Sequence, residues 1–573
     1  MVVYTMMLVG SGIPSFQLTE YLFPTLSGVT YYATPENKWA ELFYKYIPSW
    51  MVPQDAGAMR AFYEGLRPGQ PLPWQPWVVP VLAWTVLALA LFWTYTCITV
   101  VLRRQWIENE HLIFPLVQLP LDMVEEEPGA TVSPFLRSRV MWIAAAIPLL
   151  IHSWNGLHRY FPTVPGIRLV WPLNPYFRTV PWNQMGPVIA FLHFSIIGFS
   201  FLLSTDLSFS LWFFFVLFNL MSVALYAAGV RVPPIPNYAT KPEAALQMLG
   251  AFFLVCGYIV YLVRGQVGVM IAKALGTSQA EEIDDSDEPM PYRVAVWGTV
   301  AGVAVIVLWC SLAGVRGWVT VLSFSLLLMI SLVLTRLISE GGLLFVQAPF
   351  TPVDIYANTV GTGWLTPQEH TIHAFVQRVF MFDLRTFVMP SFMDSYKIAH
   401  ETGIPVRRLM LPFALAVILS LAFSYASMIW TAYHFGAVTL SGWFCKASPQ
   451  QPFKNLVQIL SDPRMPTAAG WVFIIIGGLV TWLLSLARMR FTWWPLHPLG
   501  YAMGPSWPMI QLWFSTLIGW LFKVAIMRYA TVTSYRRARQ FFLGLVVGEF
   551  LAAGIWVIVA WVTATRGLRF FLT

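Results

Sequence analysis

Gly317-Trp-Val-Thr-Val-Leu-Ser-Phe-Ser-Leu-Leu-Leu-Met-Ile-Ser-Leu-Val-Leu-Thr-Arg336-Leu-Ile338-Ser-Glu340-Gly341-Gly342 decides the fold, because no charged side chain interrupts it between Gly317 and Arg336. A helix rises about 1.5 Å per residue, so roughly twenty apolar residues cross about 30 Å of hydrocarbon. The run 317–338 therefore reads as one membrane crossing, closed by a basic residue, a carboxylate and two glycines that weaken helix continuation. Runs of the same kind lie at 75–102, 137–153, 184–204, 208–229, 243–263, 292–314, 406–430, 467–487, 507–527 and 541–564. The apolar start Met1–Gly10 is too short to cross alone and is read as the tail of a helix beginning upstream; it lacks the basic n-region and A-x-A-like site of a cleaved signal. Together these runs predict an all-α polytopic integral membrane bundle of about 12 spans.

Composition agrees. The 573 residues are 57% hydrophobic and only 11% charged, whereas soluble domains carry roughly 25% charge. The excess of 35 Lys+Arg over 27 Asp+Glu sits in short clusters beside apolar runs, at Arg103-Arg104, Arg407-Arg408 and Arg536-Arg537. That is the positive-inside pattern of a multi-pass protein in a prokaryotic cytoplasmic membrane, and it does not point to nucleic acid. The lipid bilayer is the expected partner, and a homo-oligomer stays open. The cysteines Cys97, Cys256, Cys310 and Cys445 show no CxxC or metal spacing.

Around the runs, the long connections 13–74 and 154–183 are read as ordered, rich in aromatics and proline. Thr34-Pro35-Glu36 predicts a helix start, followed by a stripe at Trp39, Leu42, Phe43, Tyr46 and Ile47 suited to packing on helices or lying on the bilayer. The acidic run 276–291, with Glu281, Glu282, Asp284, Asp285, Asp287 and Glu288, reads as a mobile linker between an N-terminal half, 1–275, and a C-terminal half, 292–573. Keeping the arginine clusters on one side requires 341–405 to return to the side it left, as a re-entrant region or as two broken crossings. The same constraint asks for a further half-span in the Pro/Gly-punctuated stretch 491–505.

Ionisable groups in such surroundings are functional candidates by default. Glu340, with Gly341 and Gly342, is read as a substrate or ion site or as a plain helix end. Glu549, within the last run, is a candidate proton carrier or one half of a buried ion pair with Lys523. Asp383 and Arg385, with Asp394 and Lys397 downstream, are read as pathway groups or as local salt bridges. Glu369-His370-Thr-Ile-His373 has helical spacing for a metal, but Thr366-Pro367-Gln368-Glu369 is a capping box that already employs Glu369, so no metal or cofactor is expected. Asp206 is read as a helix N-cap. No HExxH, GxSxG, Walker A or GxGxxG motif is present, so no enzyme is expected.

Three segments resemble the oligopeptide transporter superfamily, above all its yellow-stripe-like branch. They are Leu102-Arg103-Arg104 through Phe114-Pro115, the stretch from Asp383-Leu-Arg385-Thr-Phe to Arg407-Arg408, and Gly544-Leu-Val-Val-Gly548-Glu549-Phe-Leu-Ala-Ala-Gly554-Ile-Trp556. The chain departs from that pattern after Thr386, where the family's glycine is missing, and in its long loops, as a divergent prokaryotic relative would. The resemblance implies re-entrant segments and cation-coupled uptake of peptides or metal chelates, and it singles out Glu549 and the 383–408 hairpin. The expected function is a secondary transporter of a small organic solute, coupled to protons. Two alternatives remain: a membrane scaffold subunit, or an intramembrane enzyme on a lipid-linked substrate using His158, His370, His373 or His497 as acid or base.

Overall fold

Backbone N–H and C=O groups in hydrocarbon have no water to bond, so an apolar run satisfies them within its own helix. The computed structural model describes residues 1–125, 132–232, 234–235, 238–277 and 284–563. The helices that carry the description below are, in chain order, α1 (Val2–Gly10), α2 (Thr19–Tyr31), α3 (Gln75–Arg103), α4 (Arg139–Tyr160), α5 (Phe194–Leu202) and α6 (Thr205–Ala227). Then come α7 (Pro242–Leu275), α8 (Tyr292–Leu312), α9 (Gly317–Gly341), α10 (Pro352–Thr359), α11 (Pro367–Phe380) and α12 (Val388–Thr402). The last are α13 (Met410–Phe435), α14 (Ser448–Ser461), α15 (Ala468–Arg490), α16 (Pro498–Met503), α17 (Trp507–Tyr529) and α18 (Val532–Val562). Among the described residues, 10 helices are long and apolar enough to cross a membrane: α3, α4, α6 to α9, α13, α15, α17 and α18. The chain is a predominantly helical, polytopic integral membrane protein.

Close helix packing rests on small residues, since lipid offers apolar side chains no reason to leave it. Gly544 and Gly548 of α18 face α4, where an added Cβ would meet Met141 O at 2.4 Å and Ala145 O at 2.1 Å. Gly250 of α7 and Gly477 of α15 do the same for their pair, with Ile474 O at 1.9 Å and Gln247 O at 2.0 Å. The two expected halves interleave: α1 packs on α12 and α13, and α2 on α11 and α14.

One apolar run folds differently from its expectation. Within 184–204, Ile189–Phe191 forms strand β2, antiparallel to β1 (Val170–Pro172), and only the nine-residue α5 follows. Nine residues rise about 13 Å, short of a crossing. Hydropathy alone does not separate a β-prone Val188-Ile-Ala-Phe191 from helix, and the aromatic loop supplies it a ladder partner. The helix expected after Thr34 also shrinks, to Trp39–Leu42 and a 3-10 turn at Tyr44–Tyr46. Its Trp39 and Phe43 are buried against Phe453, with ring centroids 5.3 and 5.6 Å away, so the stripe packs inside the protein. The described part of the acidic run is tied down, Glu288 to Arg103 at 3.0 Å and Asp285 to Lys273 at 3.0 Å. Glu281 and Glu282 lie outside the described residues.

The path of 341–405 follows from its contacts. Glu369, in the first turn of α11, binds Arg316 just before α9 at 2.7 Å, while Gly342 follows the opposite end of α9. Residues 343–366 therefore run back along the whole of α9 with only the eight-residue α10 as regular helix. Arg407, beyond α12, donates to Glu288 O at 3.0 Å, and Glu288 holds Arg103 at the end of α3. Arg336 of α9 binds Glu110, also beyond that end of α3. Both ends of 341–405 thus lie at the same end of the bundle.

Candidate functional site

Chain from several elements meets at one buried place. Seven residues, 381–387, separate α11 from α12; α2 contributes Tyr21 from its first turn; α10, which starts after extended chain, lines the adjoining cavity; and α14 is preceded by a π-helical stretch at Gly442–Ala447 that carries Trp443. Asp383 in the first break is 3% exposed and accepts from Tyr21 of α2 at 2.7 Å and from Arg385 Nε and Nη2 at 2.8 and 2.5 Å. Trp443, just before α14, donates to the Tyr21 hydroxyl at 3.3 Å. Phe382 is the hub of the break: its carbonyl accepts from Tyr238 at 3.2 Å, and its ring lies 4.0 Å beneath the Arg378 guanidinium.

Beside this cluster is a small polar cavity of about 70 Å³. Arg378 and Gln377 of α11, Asp354 of α10, Asn455 of α14, Arg464 and Tyr238 line it. Asp354 is engaged by its own capping box, accepting from Thr351 N at 2.9 Å and Oγ1 at 2.7 Å. The same Thr351 hydroxyl lies 3.0 Å from Gln377 Oε1. Arg378 and Gln377 were absent from the sequence-based candidates. The available signal was an arginine in an apolar helix with no acid at i±3 or i±4, where Ala374, Phe375, Met381 and Phe382 stand.

Glu340 is elsewhere, at the end of α9. It accepts from Arg336 Nε at 2.6 Å and faces His497 Nε2 at 3.4 Å. His497 Nδ1 accepts from Leu499 N at 3.1 Å, so in the neutral ring the proton sits on Nε2, facing Glu340. Gly341 ends α9, and Gly342 takes φ +55° where a Cβ would lie 2.6 Å from Pro115, so glycine is required there. Arg336, Glu340, Arg488 and His497 form the polar end of a second cavity, about 730 Å³ between α7, α9 and α15, with exposed Tyr258 and Trp482 on its walls.

Glu549 does not pair with Lys523. It is fully buried and accepts from Ser195 N at 2.6 Å and from His152 Nε2 at 3.1 Å. Lys523 donates to Leu203 O, just past α5, and lies over the Phe201 ring. The two charges thus occupy opposite ends of α5, a carboxylate at its N-terminus and an ammonium at its C-terminus, as the helix dipole favours. The ion pair is the expectation from sequence because Lys523 lies inside the preceding apolar run; His152 lies on α4, far away along the chain.

The remaining candidates have protein partners or stand apart. His370 Nε2 meets Thr362 O at 3.0 Å; His373 Nδ1 meets Glu369 O at 2.7 Å, and its Nε2 meets Ser323 Oγ at 2.8 Å. The capping box at Thr366 is formed. Burial alone would push the Glu369 carboxyl up, but hydrogen bonds from the Arg316 side chain and from the Thr366 and Arg316 N–H groups outweigh it and hold its pKa down to about 2. His158 sits in an exposed turn against Val164 O. Asp206 is not the N-cap of α6, a place held by Ser204; it lies in the first turn and pairs with Arg488 at 2.9 Å. Lys397 pairs with Glu401 at 2.6 Å. Asp394 of α12, 6% exposed, has no hydrogen-bond or ion-pair partner among the described residues.

The chain belongs to the family of unknown function DUF6785, whose profile matches residues 1–572. No curated protein matches it.

Proposed function

We propose that this protein is a secondary transporter that moves a small organic solute, peptide-like or metal-chelate in class, through the cluster at the 381–387 helix break, coupled to protons. The observation that carries this reading is the buried Asp383–Arg385–Tyr21 network at the break between α11 and α12, beside a cavity lined by Arg378, Arg464 and Asp354. Breaking helix inside a membrane protein leaves backbone groups that must be satisfied, and such breaks are tolerated where they line a wet or solute-filled space.

On this reading 1–31 and 184–204 are broken crossings that raise the ten long helices to about twelve spans, and 341–405 is the re-entrant region, passing through and returning. Asp394 is the group assigned to proton coupling: burying a lone carboxylate is costly, and α12 packs on α1, itself next to a break. The resemblance to the oligopeptide transporter superfamily fits, since its three segments fall at the end of α9, at the 381–387 break and at the α4–α5–α18 junction. The membrane is assigned as a prokaryotic cytoplasmic one, and no catalytic role is assigned to any residue.

A second reading, action on a lipid-linked substrate, has one observation in its favour: the His497–Glu340 pair at the polar end of the 730 Å³ cavity, whose walls include exposed aromatics. Uptake into proteoliposomes under an inward proton gradient, with radiolabelled di- and tripeptides and metal chelates, separates the two. Gradient-dependent accumulation by the wild type, lost in Asp394→Asn and kept in His497→Ala, supports the carrier. Absence of uptake for every probe contradicts it.

A further inference from the structure

Arg378 is a buried cation with no carboxylate in direct contact among the described residues; Asp354 and Asp383 act on it only from farther away. Arg378 is 3% exposed, its Nη2 donates to Gln451 at 2.9 Å, and its Nη1 has no partner. None of the ion pairs among the described residues includes it. Gln377 Nε2, on the same wall of the 70 Å³ cavity, is likewise a buried donor without an acceptor. Two adjacent orphaned donors, one of them charged, are costly to keep buried. Water in the cavity could satisfy the hydrogen bonds but would put no anion in contact with the guanidinium.

The lining is also electropositive. Arg378 and Arg464 face one carboxylate, Asp354, and that carboxylate is turned onto Thr351. The Phe382 ring beneath the guanidinium and Gln451 on its Nη2 fix its plane, so its free edge is pre-set for a planar acceptor. The volume suits a carboxylate-sized group and not a whole solute, and the cavity extends toward half-buried Asn455 and Arg464.

We infer that Arg378 Nη1 and Gln377 Nε2 form an oxyanion subsite for a carboxylate of the transported solute. The inference rests on the transporter reading for the word transported, but the subsite itself can be tested without transport. Full-length protein in detergent is titrated with sodium acetate at constant ionic strength, with sodium chloride as the matched control, and thermal unfolding is followed by tryptophan fluorescence. Acetate should raise the wild-type Tm saturably and chloride should not. Arg378→Gln should abolish the shift. Gln377→Met, which keeps the charge, should weaken the apparent acetate affinity at least about tenfold, as loss of one hydrogen bond to a charged group does.

An equal acetate response in the wild type and in Gln377→Met overturns the subsite, as does no response at all. An equal effect of chloride overturns the carboxylate assignment in favour of an inorganic anion. Saturable acetate binding without uptake of any probe would remove the transporter reading and leave the subsite standing. Uptake without acetate binding would do the reverse.

Discussion

Replacing Asp383 by Asn removes a carboxylate that accepts from Tyr21 and from three nitrogens of Arg385, its backbone N–H at 3.3 Å included. The Tyr21 hydroxyl at 2.7 Å and Arg385 Nε and Nη2 at 2.8 and 2.5 Å all bond its carboxylate, and the Arg385 side chain is 10% exposed. The amide still accepts on one oxygen, so the hydrogen bonds are not all lost. The larger effect is loss of the charge in direct contact with the buried guanidinium, about 3–5 kcal/mol when one partner of a buried pair is removed. The Trp507 ring, 5.4 Å from that guanidinium, offsets only part of this, about 0.5–2 kcal/mol. The net expectation is a loss of about 2–4 kcal/mol. Denaturant unfolding in mixed micelles, run as a cycle with Arg385→Gln and the double variant, measures it. The double variant should be more stable than the sum of the singles implies, by about 1–3 kcal/mol. An additive cycle, or an Asp383→Asn loss below about 1 kcal/mol, would refute the assignment of the pair as a buried, mutually dependent unit.

Other consequences are as direct. Gly548→Val should force α4 and α18 apart, since its Cβ would sit 2.1 Å from Ala145 O; a cost of about 1–3 kcal/mol or more is expected in the same unfolding assay, and a neutral variant would contradict this close approach. Glu549→Leu removes the acceptor that Ser195 N–H and His152 Nε2 share, at about 3–5 kcal/mol, whereas Lys523→Met at the other end of α5 should cost nearer 1 kcal/mol; hydrogen exchange of α5 amides reads the difference, and the reverse order would count against the dipole account. Glu369 is held at about 2, below its ordinary 4.5, so its stabilisation is complete above pH 4.5 and fades as pH falls toward 2. The stability gap between wild type and Glu369→Gln should narrow across that window, and a gap that widens on acidification would reverse the sign.

The long helices were legible because a run of twenty apolar residues has few other folds in which its backbone is satisfied. The Asp383–Arg385 pair stood out as opposite charges two residues apart in an apolar stretch. What was not legible depends on contacts far apart in sequence: Glu549 meets His152 and Ser195 across some 350 to 400 residues, and no local pattern marks that choice. Run 184–204 misled because average hydropathy is blind to whether the backbone is satisfied by a helix or by a strand partner. Arg378 was overlooked because the capping box and histidines of α11 drew the eye to its first turn, while the missing acid beside the arginine was the informative feature.

The account stands on a solute path through the breaks, and two-sided accessibility tests that without knowing the solute. Asn455→Cys, placed at the polar cavity in a background with Cys97, Cys256, Cys310 and Cys445 replaced, would be exposed to a membrane-impermeant maleimide in right-side-out and in inside-out vesicles. Alternating access predicts modification from both sides, each slowed by acetate. Reaction from one side alone, indifferent to which conformation the gradient favours, would contradict a path through this site.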